Sequence, residues 1–361
     1  MKICFYTNKI KDVLFKPETC AYPLYIQVES TTFCNLRCKM CVRNDKITNP
    51  RHLKLEEFKI IYDQIKAPKV TLSGLGEPLL NPQLPDMIKH AKSNEASVMI
   101  PSNGTLLNKN GVAKDLINSG LNVLKISIDA ASSEVYEAVR GQDCFNDIIE
   151  GIKQLENVKK ALKSSLPEIR LDFVILKDNI MEIPKVVELA KSLNIKTVFF
   201  RALQSEGLEG ERKEDLGKDI NFEQMVLFVK QGLDLGDKLG IKTNLGDIFR
   251  DFKHYKSIYV NRNANLNNQV CLLPFLQCYI SLEGEVSPCC ALFNNENVSV
   301  GNIFKEDFEL IWNGDKMKNL RNLFKNNKSN FAVCRDCIPR SIPVLLKMSS
   351  MLPGFVYNSK K

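Results

Sequence analysis

Three cysteines, Cys34, Cys38 and Cys41, stand close together near the start of the chain, separated by three residues and then by two. That spacing puts three thiols in one short loop, within reach of a single inorganic centre. A [4Fe–4S] cluster takes four ligands, so three cysteines leave one iron open to a molecule that reacts. A zinc loop is the competing reading. Structural zinc wants four ligands, and the nearest other donor, His52, reads as a lone surface histidine. Six further cysteines fall between 271 and 337: Cys271, Cys278, Cys289, Cys290, Cys334 and Cys337. Cys4, Cys20 and Cys144 lie apart and read as small buried hydrophobes.

These residues need a scaffold, and the hydrophobic pattern describes one. Short apolar, β-branched stretches begin at Tyr25, Val70, Ser97, Val123, Arg170 and Thr197. Helical spacing fills the gaps at 55–65, 85–93, 109–119, 132–163 and 181–193. Six strands alternating with helices predict an α/β fold with a parallel sheet and right-handed crossovers. Six units are too few to close an eight-stranded barrel, so a partial, TIM-like (β/α)6 barrel is expected. Chemistry in such folds sits at the carboxyl ends of the strands. The cysteine loop follows the first strand directly and belongs on that face. Five segments are expected: an N-terminal extension (1–21), the partial barrel (22–220), a linker helix and loop (221–265), a small Cys-rich domain (266–345) and a tail (346–361), with a packed helix over 342–356.

Composition narrows the function classes. The 361 residues are 44% hydrophobic and 25% charged, which supports a sizeable core. The net charge of +8 is scattered, without the one-faced basic cluster of a nucleic-acid binder. The N-terminus lacks the apolar region and cleavage site of a signal peptide. No apolar run reaches the ~18 residues of a membrane span. A cytoplasmic protein is expected, in which cysteines serve metals more often than disulfides.

The triplet, placed after the first strand of a β/α chain, resembles the signature of the radical S-adenosylmethionine (SAM) superfamily. Further stretches strengthen the resemblance. Ser73-Gly74-Leu75-Gly76-Glu77-Pro78 is similar to the family's Gly-Gly-Glu motif, which implies contacts from Gly74, Gly76 and Glu77 to the SAM amino group. Ser102 and Asn103 end the third strand and imply further SAM contacts. Ser127-Ile128-Asp129 resembles the ribose-binding stretch, with Ser127 and Asp129 on one side. Tyr136 to Gly141 resembles a segment whose arginine, here Arg140, pairs with the SAM carboxylate. Two positions depart from the pattern. Met40 replaces the usual aromatic cover of the adenine, and the glycine-rich adenine motif of strand five is absent.

The second cysteine set, with Gly284-x4-Cys289 and Cys334-x2-Cys337, resembles the SPASM and twitch extensions of this superfamily. The resemblance implies one auxiliary [4Fe–4S] cluster held by Cys271, Cys289, Cys334 and Cys337. A Cys4 zinc site is the alternative, and Cys278 or Cys290 could substitute for a ligand. The implied activity is reductive cleavage of SAM to a 5′-deoxyadenosyl radical, which takes hydrogen from a substrate. Electrons come from an external flavodoxin- or ferredoxin-type reductant. Glu29, Lys177, Asp178, Arg201 and Gln204 line the expected mouth.

Only 24 residues precede Tyr25, whereas peptide-modifying relatives often carry an N-terminal recognition domain. A small polar substrate (sugar, aminocyclitol or nucleotide-like) is therefore expected. Its fate is dehydrogenation, or epimerisation with Cys290 returning the hydrogen; a packed Cys290 is the alternative. A peptide maturase and a non-enzymatic iron–sulfur or zinc module are the competing classes.

Overall fold

The computed structural model describes residues 22–203, 220–250, 252, 271, 273–296, 298–326 and 331–335. The expected extension, Gln204, the tail helix, Cys4, Cys20 and Cys337 lie outside the described residues.

Strands β1 (Tyr25–Val28), β2 (Lys69–Leu72), β3 (Ser97–Ser102), β4 (Val123–Ser127), β5 (Glu168–Ile175) and β6 (Thr197–Ala202) lie side by side in chain order, all parallel. Alternate residues explain the layering. Ile26, Val28, Val70, Leu72, Val98, Ile100, Leu124, Ile126, Leu171 and Phe173 are buried in the hydrophobic core, among residues of the flanking helices. Their neighbours in sequence face the other, concave side. The expected alternation of strands and helices is thus the observed one.

Two additions extend the six strands. The helix Phe222–Leu239, expected as a linker, packs against the helix Ile183–Ser192 and leads into a seventh parallel strand, β7 (Lys242–Thr243). Its Gly232 makes the close approach possible. A Cβ there would come within 2.8 Å of Leu245 and 2.9 Å of Ile183. At the opposite edge, β8 (Gln277–Ile280) pairs parallel with β1, and β9 (Glu285–Ser287) and β10 (Gly301–Asn302) follow antiparallel. One ten-stranded sheet therefore runs through both cysteine-bearing regions. Gln64 strengthens this join by donating to the Ile303 carbonyl and accepting from the Phe308 amide. Among the described residues, no helix is long and apolar enough to cross a membrane.

Candidate active site

The loop after β1 carries Cys34, Cys38 and Cys41 at the carboxyl end of the sheet. The Cys41 amide donates to the Cys38 carbonyl, which tightens the loop. The three thiols are mutually close. Burial raises the Cys34 thiol first, and the charges of Glu77, Cys38 and Cys41 raise it further. Such thiols need cationic help to stay deprotonated. Among the described residues, no three side chains of the His, Cys, Asp or Glu type close at single-ion spacing. A cubane has a wider footprint than one zinc ion, whose thiolates sit ~2.3 Å from the metal. His52 is no ligand here: its Nδ1 lies 2.8 Å from the Thr31 hydroxyl, and its ring packs 4.6 Å from that of Phe33.

Arg140 supplies the cationic help. It ends the helix Ser133–Arg140 and is buried. Its Nη1 donates to Cys38 Sγ at 3.5 Å, and its Nη2 pairs with Asp129 Oδ2. Burial opposes the charge on Arg140, but Asp129, Cys38 and Tyr136 together outweigh burial and raise the guanidinium above its ordinary value. The arginine expected at the SAM carboxylate thus spends two of its nitrogens on Asp129 and the cluster loop. Gly141, at φ +79°, lets the chain turn at a point where a Cβ would lie 3.2 Å from the Arg37 carbonyl.

Asp129 departs from the simple alternation expected of it. β4 ends at Ser127, and Asp129 adopts φ +50°. That twist buries its carboxylate completely, where Oδ1 accepts the Val174 amide at 2.6 Å. Ser127 stays partly exposed on the concave face, so the two residues expected side by side have different environments.

Glu77, Ser102 and Asn103 form one network. Glu77 accepts from the Ser102 hydroxyl at 2.8 Å, the Asn103 amide at 2.6 Å and the Leu79 amide at 3.0 Å. Asn103 reaches Asn35 in the cysteine loop at 2.9 Å. Burial raises the Glu77 carboxyl, and these donors pull it back. The glycines before it are required by space. A Cβ on Gly76 would collide with the Thr31 and Phe33 carbonyls, and one on Gly74 with the Glu29 side chain. Met40 packs half-buried against the core.

The second cysteine set also assembles. Cys271, Cys289 and Cys334 surround a small separate core of Leu292, Phe324 and Val333. Cys278 behaves differently. It is buried in β8 within the main core, and burial drives its thiol far above the ordinary value, as expected of a packing residue. Cys290 opens the helix Cys290–Glu296, half-buried. Tyr279 lies between this region and the barrel: after burial, Glu29 and then Cys290 raise its hydroxyl.

The donor sets fit iron–sulfur clusters. At the first centre the buried Arg140 Nε and Tyr136 hydroxyl have no hydrogen-bond partner among the described residues, so unspent donors lie beside the loop where an anionic cluster would sit. Glu29, expected at the mouth, is instead buried and holds two parts of the protein together. It accepts from the Leu75 amide at 2.9 Å and the Leu282 amide at 3.4 Å, joining the glycine loop to the auxiliary region. Only the pairing of β8 with β1 brings those partners together.

Comparison with known proteins gives the same picture. The radical SAM superfamily model matches residues 28–190, and the SPASM iron–sulfur cluster-binding domain matches 271–338. A tungsten-containing aldehyde ferredoxin oxidoreductase cofactor-modifying protein from Pyrococcus furiosus is 23% identical over 330 residues, 87% of this chain and 86% of that protein. GTP 3′,8-cyclase from Helicobacter pylori is 32% identical over 192 residues, and the match spans 50% of this chain and 56% of the cyclase. The crystal structure of Streptococcus suis SuiB bound to S-adenosylmethionine shares the fold at TM-score 0.66 and 16% identity, covering 95% of this chain and 78% of SuiB. The two domain matches account for both cysteine sets, and the chain belongs to the radical SAM superfamily, with a C-terminal SPASM domain and with SAM and [4Fe–4S] clusters as its cofactors.

Proposed function

We propose that this radical SAM enzyme acts on a small polar molecule, of the sugar, aminocyclitol or nucleotide kind, by dehydrogenation or epimerisation. The observation that carries this reading is the concave face near the strand ends. Ser127, Asp172 and Arg201 line it, so the side chains next to the cysteine loop's end of the sheet are polar and charged. Such a wall suits a hydroxylated or charged ligand more than an apolar one.

When bound, SAM and its cluster supply the hydrogen abstraction from an unactivated C–H bond. The chain's own residues hold and orient. Cys34, Cys38 and Cys41 would bind the first cluster, with Arg140 and Asp129 fixing the charge beside Cys38. Glu77, Ser102 and Asn103 set the shape of the SAM side. Cys271, Cys289, Cys334 and Cys337 would hold the auxiliary cluster. In an epimerisation Cys290 would return the hydrogen, and in a dehydrogenation it stays a packing residue.

The test is anaerobic turnover with a panel of sugars, aminocyclitols, nucleotides and their phosphates against a panel of peptides. A panel member of the first kind should raise 5′-deoxyadenosine formation above the uncoupled rate. Stimulation by peptides alone overturns the reading. Turnover in deuterated water separates the branches: epimerisation labels product carbon and loses the label in Cys290→Ala, whereas dehydrogenation gives no label.

A further inference from the structure

Residues 29–33 lead from β1 into the cysteine loop and are joined to three other parts of the chain. The return of the loop pairs with them: the Leu53 amide donates to the Ser30 carbonyl and the Thr32 amide to the Arg51 carbonyl, both at 3.0 Å. The glycine loop is tied on at two points. Its Leu75 amide donates to Glu29 Oε1 at 2.9 Å, and its Glu77 amide donates to the Phe33 carbonyl at 2.7 Å. The third part is the turn between β8 and β9. There the Leu282 amide donates to Glu29 Oε2 at 3.4 Å, and the Leu282 carbonyl accepts from Arg51 Nη2. Both backbone groups of Leu282 are therefore held by side chains that flank the cysteine loop, one before it and one after.

Glu29 is 3% exposed, and a carboxyl group buried to that degree is costly without donors. Its two oxygens meet this need with amides from different regions, and the Tyr279 hydroxyl faces the same carboxyl group. Arg51 adds ion pairs to Glu57 at 3.2 Å, on the helix Leu55–Ile65, and to Glu283 at 3.5 Å, in the turn itself. The turn is linked directly to the auxiliary cysteines. β8 and β9 pair antiparallel beyond it, Tyr279 opposite Ser287 and Ile280 opposite Val286. The Ser287 hydroxyl then donates to the Cys289 carbonyl at 3.2 Å. The Tyr279 ring packs 5.2 Å from that of Phe293, in the helix that follows. The hairpin is thus a hydrogen-bonded arm with Leu282 at one end and Cys289 at the other.

We propose that Glu29 and Arg51 are positioning residues that couple the glycine loop of the SAM side to the auxiliary centre through Leu282. Leu75 lies between Gly74 and Gly76, so its amide is fixed when SAM is seated against that loop. Glu29 passes the constraint to Leu282, and the hairpin passes it to the segment of Cys289. Coupling between two binding sites is reciprocal, so an intact auxiliary centre also strengthens SAM binding. A joint that only held the two regions together would leave each site indifferent to the other. The inference holds for any substrate class, and it rests on the placement of SAM and of Cys289 proposed above.

The experiment follows anaerobic amide exchange of the reconstituted holoenzyme with and without SAM, in wild type, Glu29→Gln and Arg51→Ala. Glu29→Gln keeps the size but turns one acceptor oxygen into a donor facing an amide. In the wild type SAM should slow exchange at 73–77 and also at 281–287. In each variant the protection at 73–77 should remain, and that at 281–287 should fall to the level seen without SAM. SAM affinity gives a second readout. Cys289→Ala should weaken it about tenfold in the wild-type background, within the usual range of coupling between sites, and less than about twofold in the Glu29→Gln background, because coupled changes do not add. Protection that stops at 73–77 in the wild type, protection that reaches 281–287 equally in both variants, or equal weakening by Cys289→Ala in the two backgrounds would overturn the proposal. If SAM leaves 73–77 unprotected as well, the placement of SAM fails and the coupling fails with it. Iron content reports folding; should Glu29→Gln lose iron, the partly exposed Arg51→Ala decides.

Discussion

Arg140 sets how much negative charge the cysteine loop can hold. Its guanidinium is fixed between Asp129 and Cys38, and a hydrogen bond to a charged partner contributes roughly 1.5–3 kcal/mol. Reduction adds an electron to the cluster, so a donor at a ligand sulfur favours the reduced form. Arg140→Gln should therefore make the first cluster harder to reduce at unchanged iron content, seen as a more negative midpoint in an EPR-monitored redox titration. An unchanged midpoint would mean that the guanidinium serves only to place Asp129. Asp172 makes a second prediction. Burial works against its charge, but Arg201, Arg170 and Lys125 outweigh burial and hold the carboxyl at about 2. A folded pKa below the unfolded value near 3.9 contributes stability that is complete above the unfolded pKa and is lost as pH falls from about 4 to about 2. The contribution is about 2.6 kcal/mol from that shift. Asp172→Asn should lower the denaturation midpoint at neutral pH and flatten its fall across that acid window. Spacing alone exposed the three cysteines in the sequence. The Arg140 geometry was not legible, because Asp129 reaches it only through a left-handed backbone turn that no alternation rule anticipates.

The tight turn Lys177–Glu182 after β5 holds the end of β4 in place. Asn179 Nδ2 donates to the Asp129 and Val174 carbonyls, both at 2.9 Å, and its Oδ1 accepts the Leu176 amide at 2.7 Å. Glu182 accepts from the Ala131 amide and the Ser132 hydroxyl, fixing the entry to the helix that ends in Arg140. Asn179→Ala leaves several buried groups unpaired at ~1–3 kcal/mol each. The expected outcome is a stability loss on the order of 2–4 kcal/mol and faster amide exchange over 129–140, with exchange at β1 and β2 unchanged. Uniform acceleration across the sheet would show that the turn matters to the whole fold instead. Periodicity placed a single helix over 181–193. The structure splits the region into the turn and the helix Ile183–Ser192, which starts with Pro184 in its first turn. A proline there lacks the amide hydrogen that a longer helix would need, and φ near −65° suits a helix start. Six strands were legible because each pairs with its neighbour in sequence. The two-residue β7 is too short to show any period.

At the scale of the whole molecule, the auxiliary region continues the barrel sheet. β8 pairs with β1 across some 250 residues of chain, from Tyr25↔Gln277 to Val28↔Ile280. Local pattern carries no information about such a pairing, so the sequence indicated two adjacent units and not one continuous sheet. The continuity matters to function, because Glu29 and Tyr279 stand where the barrel meets the helix of Cys290. Reconstituted protein should hold about eight irons per chain, two clusters of four. Cys289→Ala should retain about four of them, and a loss of all eight would show that the two centres assemble as one. The most direct measurement incubates reconstituted enzyme anaerobically with SAM and dithionite and follows 5′-deoxyadenosine. The wild-type protein should form it and Cys38→Ala should form none; equal formation by Cys38→Ala would contradict the assignment of the three-cysteine loop as the catalytic centre.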